Sequence, residues 1–224
     1  MKRRRLLGLA LALASASAVR AQSLDPRAGS FFRAIIQDNA SVLRDLLLEG
    51  VDPNLRNDRG MPGLVLALHE DRPHAAQVLM NSPRLDPNEL DTAGESALMM
   101  AALKGNLPVA QRLMALGARV NKPGWSPLHY AATGGHPRMI ELLLQHGAQV
   151  NAHSPNDTTP LMMAAQYGTP ATLTALLRAG ADVNARNQQG LTALNFAQRG
   201  ERPDAIKILA AALRASQPTP LGHW

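Results

Sequence analysis

The chain has 224 residues, carries 23 Lys and Arg against 17 Asp and Glu, and contains no cysteine. That absence excludes a disulfide framework, a thiol nucleophile, a thiolate metal site and a lipid-modified cysteine anchor in one step. The formal charge of +6 invites a nucleic-acid reading, but aromatic residues make up 3% of the chain, too few to supply stacking platforms along a basic stripe.

Residues 1–21 read as an export leader. Lys2, Arg3, Arg4 and Arg5 form a basic start, Leu6 to Ala18 is an apolar and small-residue run, and Val19-Arg20-Ala21 offers small residues where a signal peptidase reads. Cleavage is expected after Ala21, with Ala18 as the alternative. An apolar run of about 13 residues is too short to cross a hydrocarbon core of about 30 Å as a helix, so no membrane association is expected once the leader is cut. Arg3-Arg4-Arg5-Leu6-Leu7 resembles a twin-arginine signal; an ordinary secretory start rich in arginine is the competing reading. The expected location is the periplasm or the cell exterior. The leader holds five of the 23 basic residues and none of the 17 acidic ones, leaving 18 against 17 and a net charge of +1. Nucleic acid is therefore not an expected partner.

Beyond the leader the chain repeats. Phe31, Leu64, Leu98, Leu128, Leu161 and Leu194 recur at intervals of 33, 34, 30, 33 and 33 residues, the five leucines each just ahead of an alanine-rich stretch. A near-constant period in this range is the pattern of a solenoid, whose units bury their apolar faces against one another. Six units are expected near 24–56, 57–90, 91–121, 122–153, 154–186 and 187–214, with a flexible tail over 215–224. The first unit opens on Asp25-Pro26, a helix cap followed by proline. The second has Glu70-Asp71-Arg72-Pro73 where a glycine is expected after its first helix, and an extra residue around Ser82-Pro83-Arg84.

The fifth unit is the clearest. Thr159 supplies an N-cap hydroxyl and Pro160 occupies the first helical position, where its missing N–H costs nothing. Ala164 and Ala165 permit close helix approach, and Gly168 is expected to end the first helix in a left-handed conformation. A second helix from about Pro170 to Arg178 carries Leu173, Leu176 and Leu177 as a buried stripe and stops at Gly180. A closing phrase such as Ala181-Asp182-Val183-Asn184 leads into a polar finger, and it recurs around Asn54, Asn88, Asn121 and Asn151. The last unit ends in an apolar helix, Ala210 to Arg214, with little polar surface to face solvent.

Ser126-Pro127-Leu128-His129-Tyr130-Ala131-Ala132, with Gly135-His136 and Leu142-Leu143-Leu144-Gln145-His146-Gly147-Ala148, resembles the ankyrin repeat, and the likeness extends over about residues 24–214. It implies an all-α solenoid of helix-turn-helix units with hairpin-like fingers, working as a monomeric, noncatalytic binder of another protein. It also implies structural roles for His129 and His136, which tie loops together. His69, His74, His146, His153 and His223 show no metal-ligand spacing, and no metal or cofactor is expected. No catalytic motif is present, and Met99, Met100, Met162 and Met163 read as core filler beside the leucines.

Ankyrin stacks bind through their concave side, which implies partner contacts at the fingers and at the exposed ends of the first helices. The finger-tip positions are Met61, Glu95, Trp125, Thr158 and Leu191; the helix-end positions are His69, Glu70, Leu103, Lys104, Thr133, Gln166, Tyr167 and Arg199. Trp125 lies in the shortened 30-residue interval. Two readings stand for it: an aromatic anchor beside a notch walled by the fingers of Glu95 and Thr158, or a ring packed inward to fill the missing space. Alternative roles for the chain are an accessory or regulatory subunit of a periplasmic enzyme, or a secreted effector.

Overall fold

A computed structural model describes residues 25–216, so the expected cleavage at Ala21 and all of the tail beyond Ser216 lie outside the described residues. The described chain is helical, with twelve α-helices in six consecutive pairs and two isolated β-bridges, Arg56 with Pro62 and Leu90 with Ser96, at the finger bases. No helix among the described residues is long and apolar enough to cross a membrane. The described chain divides at residue 96 into two compact units.

The N-terminal unit contains α1 (Ala28–Ile36), α2 (Ala40–Leu48), α3 (Gly63–His69) and α4 (Pro73–Met80). Regular helix begins at Ala28 rather than directly after Pro26, because Asp25 and Arg27 first form a turn in which the Arg27 N–H donates to Asp25 Oδ1 at 2.9 Å. Phe31 and Ile35 from α1, Leu43 from α2, and Leu79 from α4 are fully buried together with Leu64 and Val65 of α3. The missing glycine after α3 is replaced by Asp71 in a left-handed conformation (φ 53°), and Asp38 does the same after α1 (φ 52°). Asp38 also accepts the Ala75 N–H at 2.8 Å and meets His74 at 2.6 Å, so one carboxylate joins two helix pairs. Burial raises the Asp38 pKa, but the Ala75 amide and His74 outweigh it and hold the carboxyl below its usual range. The unusual segment before the second finger has a use as well: Arg84 donates to the carbonyls of Val51 (2.8 Å), Gly50 (3.3 Å) and Leu47 (3.4 Å), satisfying the C-terminal end of α2.

The C-terminal unit contains α5 (Ala97–Leu103), α6 (Leu107–Ala115), α7 (Pro127–Gly134), α8 (Pro137–Gln145), α9 (Pro160–Tyr167), α10 (Pro170–Arg178), α11 (Ala193–Arg199) and α12 (Pro203–Ser216). The first helices α5, α7, α9 and α11 stack in order, as do the second helices α6, α8, α10 and α12. Leu98, Leu128 and Leu161 are buried, and so are the alanines beside them, including Ala101, Ala102, Ala131, Ala132, Ala164 and Ala165. Side chains of one methyl group let adjacent first helices approach while still removing apolar area from water. Met99, Met100 and Met162 lie at 2% exposure or less, in the core as expected, whereas Met163, also expected there, is half-buried. The helix α12 continues through Ser216, past the residue at which the tail was expected to begin.

Gly168 corrects an expectation. Its backbone is extended (φ −76°, ψ −162°) and not left-handed, whereas Gly135 at the equivalent position of the preceding pair is left-handed (φ 73°). The cause lies in the next residue. Thr169 forms its own capping box, with its N–H donating to Thr172 Oγ1 (2.8 Å) and the Thr172 N–H donating to Thr169 Oγ1 (3.3 Å), and this holds Thr169 in β-region geometry.

The asparagines of the closing phrases bridge successive pairs. Asn121 donates to the Gly147 carbonyl (2.7 Å) and accepts the Gln149 N–H (2.9 Å); Asn151 donates to the Gly180 carbonyl (3.3 Å) and accepts the Asp182 N–H (2.9 Å). Asn54 does the same with the Arg84 carbonyl and the Asp86 N–H, both at 2.8 Å. Each side-chain amide thus satisfies one orphaned carbonyl and one orphaned N–H on the next repeat. Replacing Asn121 with Ala is expected to cost about 1–2 kcal/mol through these two lost bonds, read as a lowered urea midpoint with an unchanged m-value.

Candidate protein-binding face

The fingers are tight turns closed by a polar residue at their base. Asn57 Oδ1 accepts the N–H groups of Arg59 and Met61, both at 3.0 Å; Asp91 Oδ1 accepts those of Ala93 and Glu95, both at 2.9 Å. Asn187 repeats the arrangement with Gln189 and Leu191, and the Ser154 hydroxyl accepts the Thr158 N–H at 2.9 Å. The chain reverses through a left-handed residue: Gly60, Gly94, Asp157 and Gly190.

This geometry moves the tips. Met61, Glu95 and Leu191, expected at finger tips, sit one residue past the left-handed position, where the base residue has already drawn the chain back; all three are half-buried. Thr158 is buried, at 2% exposure. The exposed tips are Asp58-Arg59, Thr92-Ala93, Pro155-Asn156 and Gln188-Gln189. The signal was in the sequence, since the Asn, Asp or Ser four residues ahead of each of Met61, Glu95, Thr158 and Leu191 is an Asx- or Ser-turn former.

The third finger lacks its closing residue. Gly124 keeps the left-handed turn (φ 79°), but Lys122 takes over the closure, its Nζ donating to the carbonyls of Trp125 (3.0 Å) and Pro123 (3.1 Å). Trp125 is half-buried and meets the His129 ring edge-on, with centroids 5.2 Å apart and planes at 77°. The ring is therefore packed in part against His129 and in part accessible to solvent. A cavity of about 440 Å³ lies beside this finger, lined by Asn121, Lys122, Pro123 and Gly124 and by Gln149, Asn151, Ala152 and His153. All of its walls come from residues 121–153, so the wall assigned to Thr158 is supplied by the preceding residues 149–153, and Glu95 belongs to the other unit.

His129 is fully buried beneath Trp125. Its Nε2 lies 2.9 Å from the Thr158 carbonyl, which can only accept, so Nε2 carries the proton. Nδ1 then accepts from the Ser126 hydroxyl (2.9 Å) and the Ser126 N–H (3.2 Å). Burial is the main cause that holds this imidazole down, to a pKa of about 4. His136 has the matching role between pairs, with its Nε2 3.0 Å from the Leu103 carbonyl. Both histidines tie successive repeats together, as the ankyrin resemblance implied. Among the described residues no group of three or more His, Asp or Glu is arranged to hold a metal ion.

The first-helix ends are open. His69 and Glu70 are exposed and meet each other at 3.1 Å; Lys104 and Arg199 are exposed, Leu103 and Gln166 are half-buried, and Tyr167 is 55% exposed. In the N-terminal unit finger and helix ends form one surface: Phe32, Ile36, Leu66 and Glu70 line a groove of about 370 Å³ with Asn57, Asp58 and Arg59.

The chain matches a three-copy ankyrin-repeat family model over residues 31–123, 70–154, 116–187 and 161–224. The chain belongs to the ankyrin-repeat family. Among ankyrin relatives, the ankyrin repeat-containing protein ITN1 of Arabidopsis thaliana is 38% identical over 78 residues, 32% of this chain and 13% of that protein. The human ankyrin repeat domain-containing protein 63 is 35% identical over 111 residues, 46% of this chain and 29% of that protein. The RelA-associated inhibitor of Mus musculus is 39% identical over 75 residues, 32% of this chain and 9% of that protein. The chain thus spans less than a third of these relatives. Solved structures match further. The human ASB11 ankyrin repeat domain superposes with a TM-score of 0.71 at 26% identity, over 81% of this ankyrin chain and 82% of that one. A chain from the complex of the Bdellovibrio bacteriovorus predatory endopeptidase Bd0816 with its immunity protein Bd3460 gives 0.69 at 26% identity, over 81% and 96%.

Proposed function

We propose that this chain is a noncatalytic protein-binding scaffold that is exported to the periplasm or beyond and captures its partner on the finger turns and first-helix ends. The observation that carries this reading is how the polar motif groups are used. His129, His136, Asn54, Asn121, Asn151 and the finger-base residues all bond to neighbouring repeats or to their own turn. Those bonds hold the surface rigid, and the side chains left open are finger tips and helix ends. A rigid surface loses little conformational entropy on association, so a few anchors suffice for affinity.

A second reading is favoured by one finding: the likeness to a chain of the endopeptidase and immunity-protein complex, of which 96% is covered. On that reading the partner is an enzyme, and this chain restrains or protects it as a regulatory subunit.

Capture from a periplasmic extract with the tagged chain, followed by mass spectrometry, is expected to return one stoichiometric partner. The N-terminus of the exported protein is expected at Gln22. Tyr167→Ala is expected to weaken capture about 5- to 10-fold while moving the melting temperature by less than about 1 °C, since an exposed ring contributes to an interface and little to the core. Turnover of a substrate by the purified chain alone would sink the scaffold reading, and an unaltered affinity in the Tyr167 variant would move the binding surface elsewhere.

A further inference from the structure

Charge is unevenly divided along the chain. Residues 25–96 hold 7 Lys and Arg against 12 Asp and Glu, a net of −5, whereas residues 97–216 hold 11 against 5, a net of +6. The near-zero sum beyond the leader conceals two units of opposite sign.

In the C-terminal unit the positive excess reaches the finger turns and first-helix ends. Lys122 and Arg186 stand in the fingers, and Lys104 and Arg199 at the ends of α5 and α11. Carboxylates are sparse on that side: Asp157 lies 3.6 Å from His153, and Glu201 sits in the turn after α11. The other three are elsewhere, with Glu141 on α8, Asp182 accepting the Asn184 N–H after α10, and Asp204 on α12 at 3.3 Å from Arg202. The cavity beside the shortened finger has Lys122 and His153 among its lining residues and no carboxylate. Trp125 flanks it half-exposed, and Tyr167 presents an open ring at the end of α9.

We infer that the finger face of residues 97–216 docks an acidic protein segment, whose carboxylates meet Arg186, Arg199 and the cavity holding Lys122 and His153, while Trp125 and Tyr167 take its apolar side chains. The inference rests on the scaffold reading above and adds the chemistry of the partner. Complementary charge would steer the encounter and set its register, and the rings would supply the anchors. A nucleic acid fits less well. Single strands need a succession of ring faces to stack on, and aromatic residues make up 3% of the chain.

The test is titration of the purified full chain with three labelled probes of equal length: a Glu/Leu peptide, its Lys/Leu counterpart and a thymidine oligonucleotide. The Glu/Leu peptide is expected to bind at least about 10-fold more tightly than either of the others, and to lose about 10-fold between roughly 50 and 500 mM NaCl. The double variant Arg186→Glu/Arg199→Glu is expected to weaken it at least about 10-fold. Arg138→Glu/Arg178→Glu makes the same change in net charge on exposed sites of α8 and α10 and is expected to stay within about 2-fold. Arg199→Glu alone is expected to retain part of the loss, and it leaves intact the 2.9 Å bond from Arg186 to the Gly190 carbonyl that helps close the last finger. Equal losses in the two double variants, or tighter binding of the oligonucleotide or the Lys/Leu peptide, would overturn the inference. Should the Glu/Leu peptide fail to bind while a stoichiometric partner is still captured, the charge inference falls and the scaffold reading stands.

Discussion

Acidification from pH 7.5 to 4 is expected to remove about 3 kcal/mol of stability from residues 97–216, and most of that loss is expected to trace to His129. Two independent features of the site agree on the direction. The imidazole is fully buried, and burial is the first cause lowering its pKa from 6.5 to about 4. The hydrogen-bond roles are also assigned: Nε2–H donates to the Thr158 carbonyl, and Nδ1 accepts from Ser126. A second proton would have to go on Nδ1, where it would displace the Ser126 N–H and leave that buried donor without an acceptor. Because the folded pKa lies below the unfolded one, the unfolded chain binds the proton more readily. The stabilisation is complete above about pH 6.5, declines as pH falls through the interval between the two values, and is gone once pH drops below about 4.

The measurement is a set of urea titrations at several pH values on the chain and on His129→Ala. The variant is expected to start less stable at pH 7.5, having lost the tie between α7 and Thr158, and to show a much shallower dependence between pH 6.5 and 4. Parallel curves for the two proteins would assign the pH dependence to other groups. Because a repeat stack need not unfold as one unit, hydrogen exchange at the Thr158 and Met162 amides gives the local readout.

How much of this was legible in the sequence depends on the range of each interaction. The helix starts were legible because their causes are local: Thr159 caps α9 by accepting the Met162 N–H at 3.4 Å, and Pro160 follows at the first helical position. The buried leucines and alanines followed from the recurrence of the leucines at 30 to 34 residues, and α5, α7, α9 and α11 stack in that order. What the period could not reveal is where polar side chains cross between repeats. Asn121 and Asn151 read as turn residues, yet their bonds reach partners 26 to 31 residues away. Asp71 adopts left-handed backbone where a glycine was expected, and Asp38 does the same after α1; short polar side chains tolerate this.

The candidate face was legible in outline and misplaced in detail. Counting from the proline slot selected Met61, Glu95, Thr158 and Leu191, whereas the closure by Asn57, Asp91, Ser154 and Asn187 puts the tips two to three residues earlier. Charge failed for a different reason. Summing over the whole mature chain cancelled an acidic N-terminal unit against a basic C-terminal one, and a sum over each half would have exposed it.

Gly168→Ala is expected to destabilise the C-terminal unit by about 2–4 kcal/mol, far more than the same change at a glycine chosen for its left-handed backbone. The φ of −76° at Gly168 is open to any residue, so conformational freedom does not explain the glycine. Space does. A Cβ there would stand 2.7 Å from the Ala132 carbonyl oxygen, 2.8 Å from that of Ala164 and 2.6 Å from Thr172 Oγ1. The hydroxyl can rotate away, and the Ala164 carbonyl lies in α9 itself, where it accepts the Gly168 N–H at 2.9 Å; the Ala132 carbonyl belongs to the neighbouring helix α7, and moving it separates the repeats. Gly190→Ala is the matched control, with φ +72° and no atom within 4 Å of the added methyl, and its expected cost is about 1 kcal/mol. Adding Thr172→Ala to the Gly168 variant removes the movable contact and leaves both carbonyl clashes, so it is expected to restore nothing. Similar urea midpoints for the Gly168 and Gly190 variants would show that α7 and α9 can part by a few tenths of an ångström at little cost, and the close approach of first helices would then not be what requires glycine here.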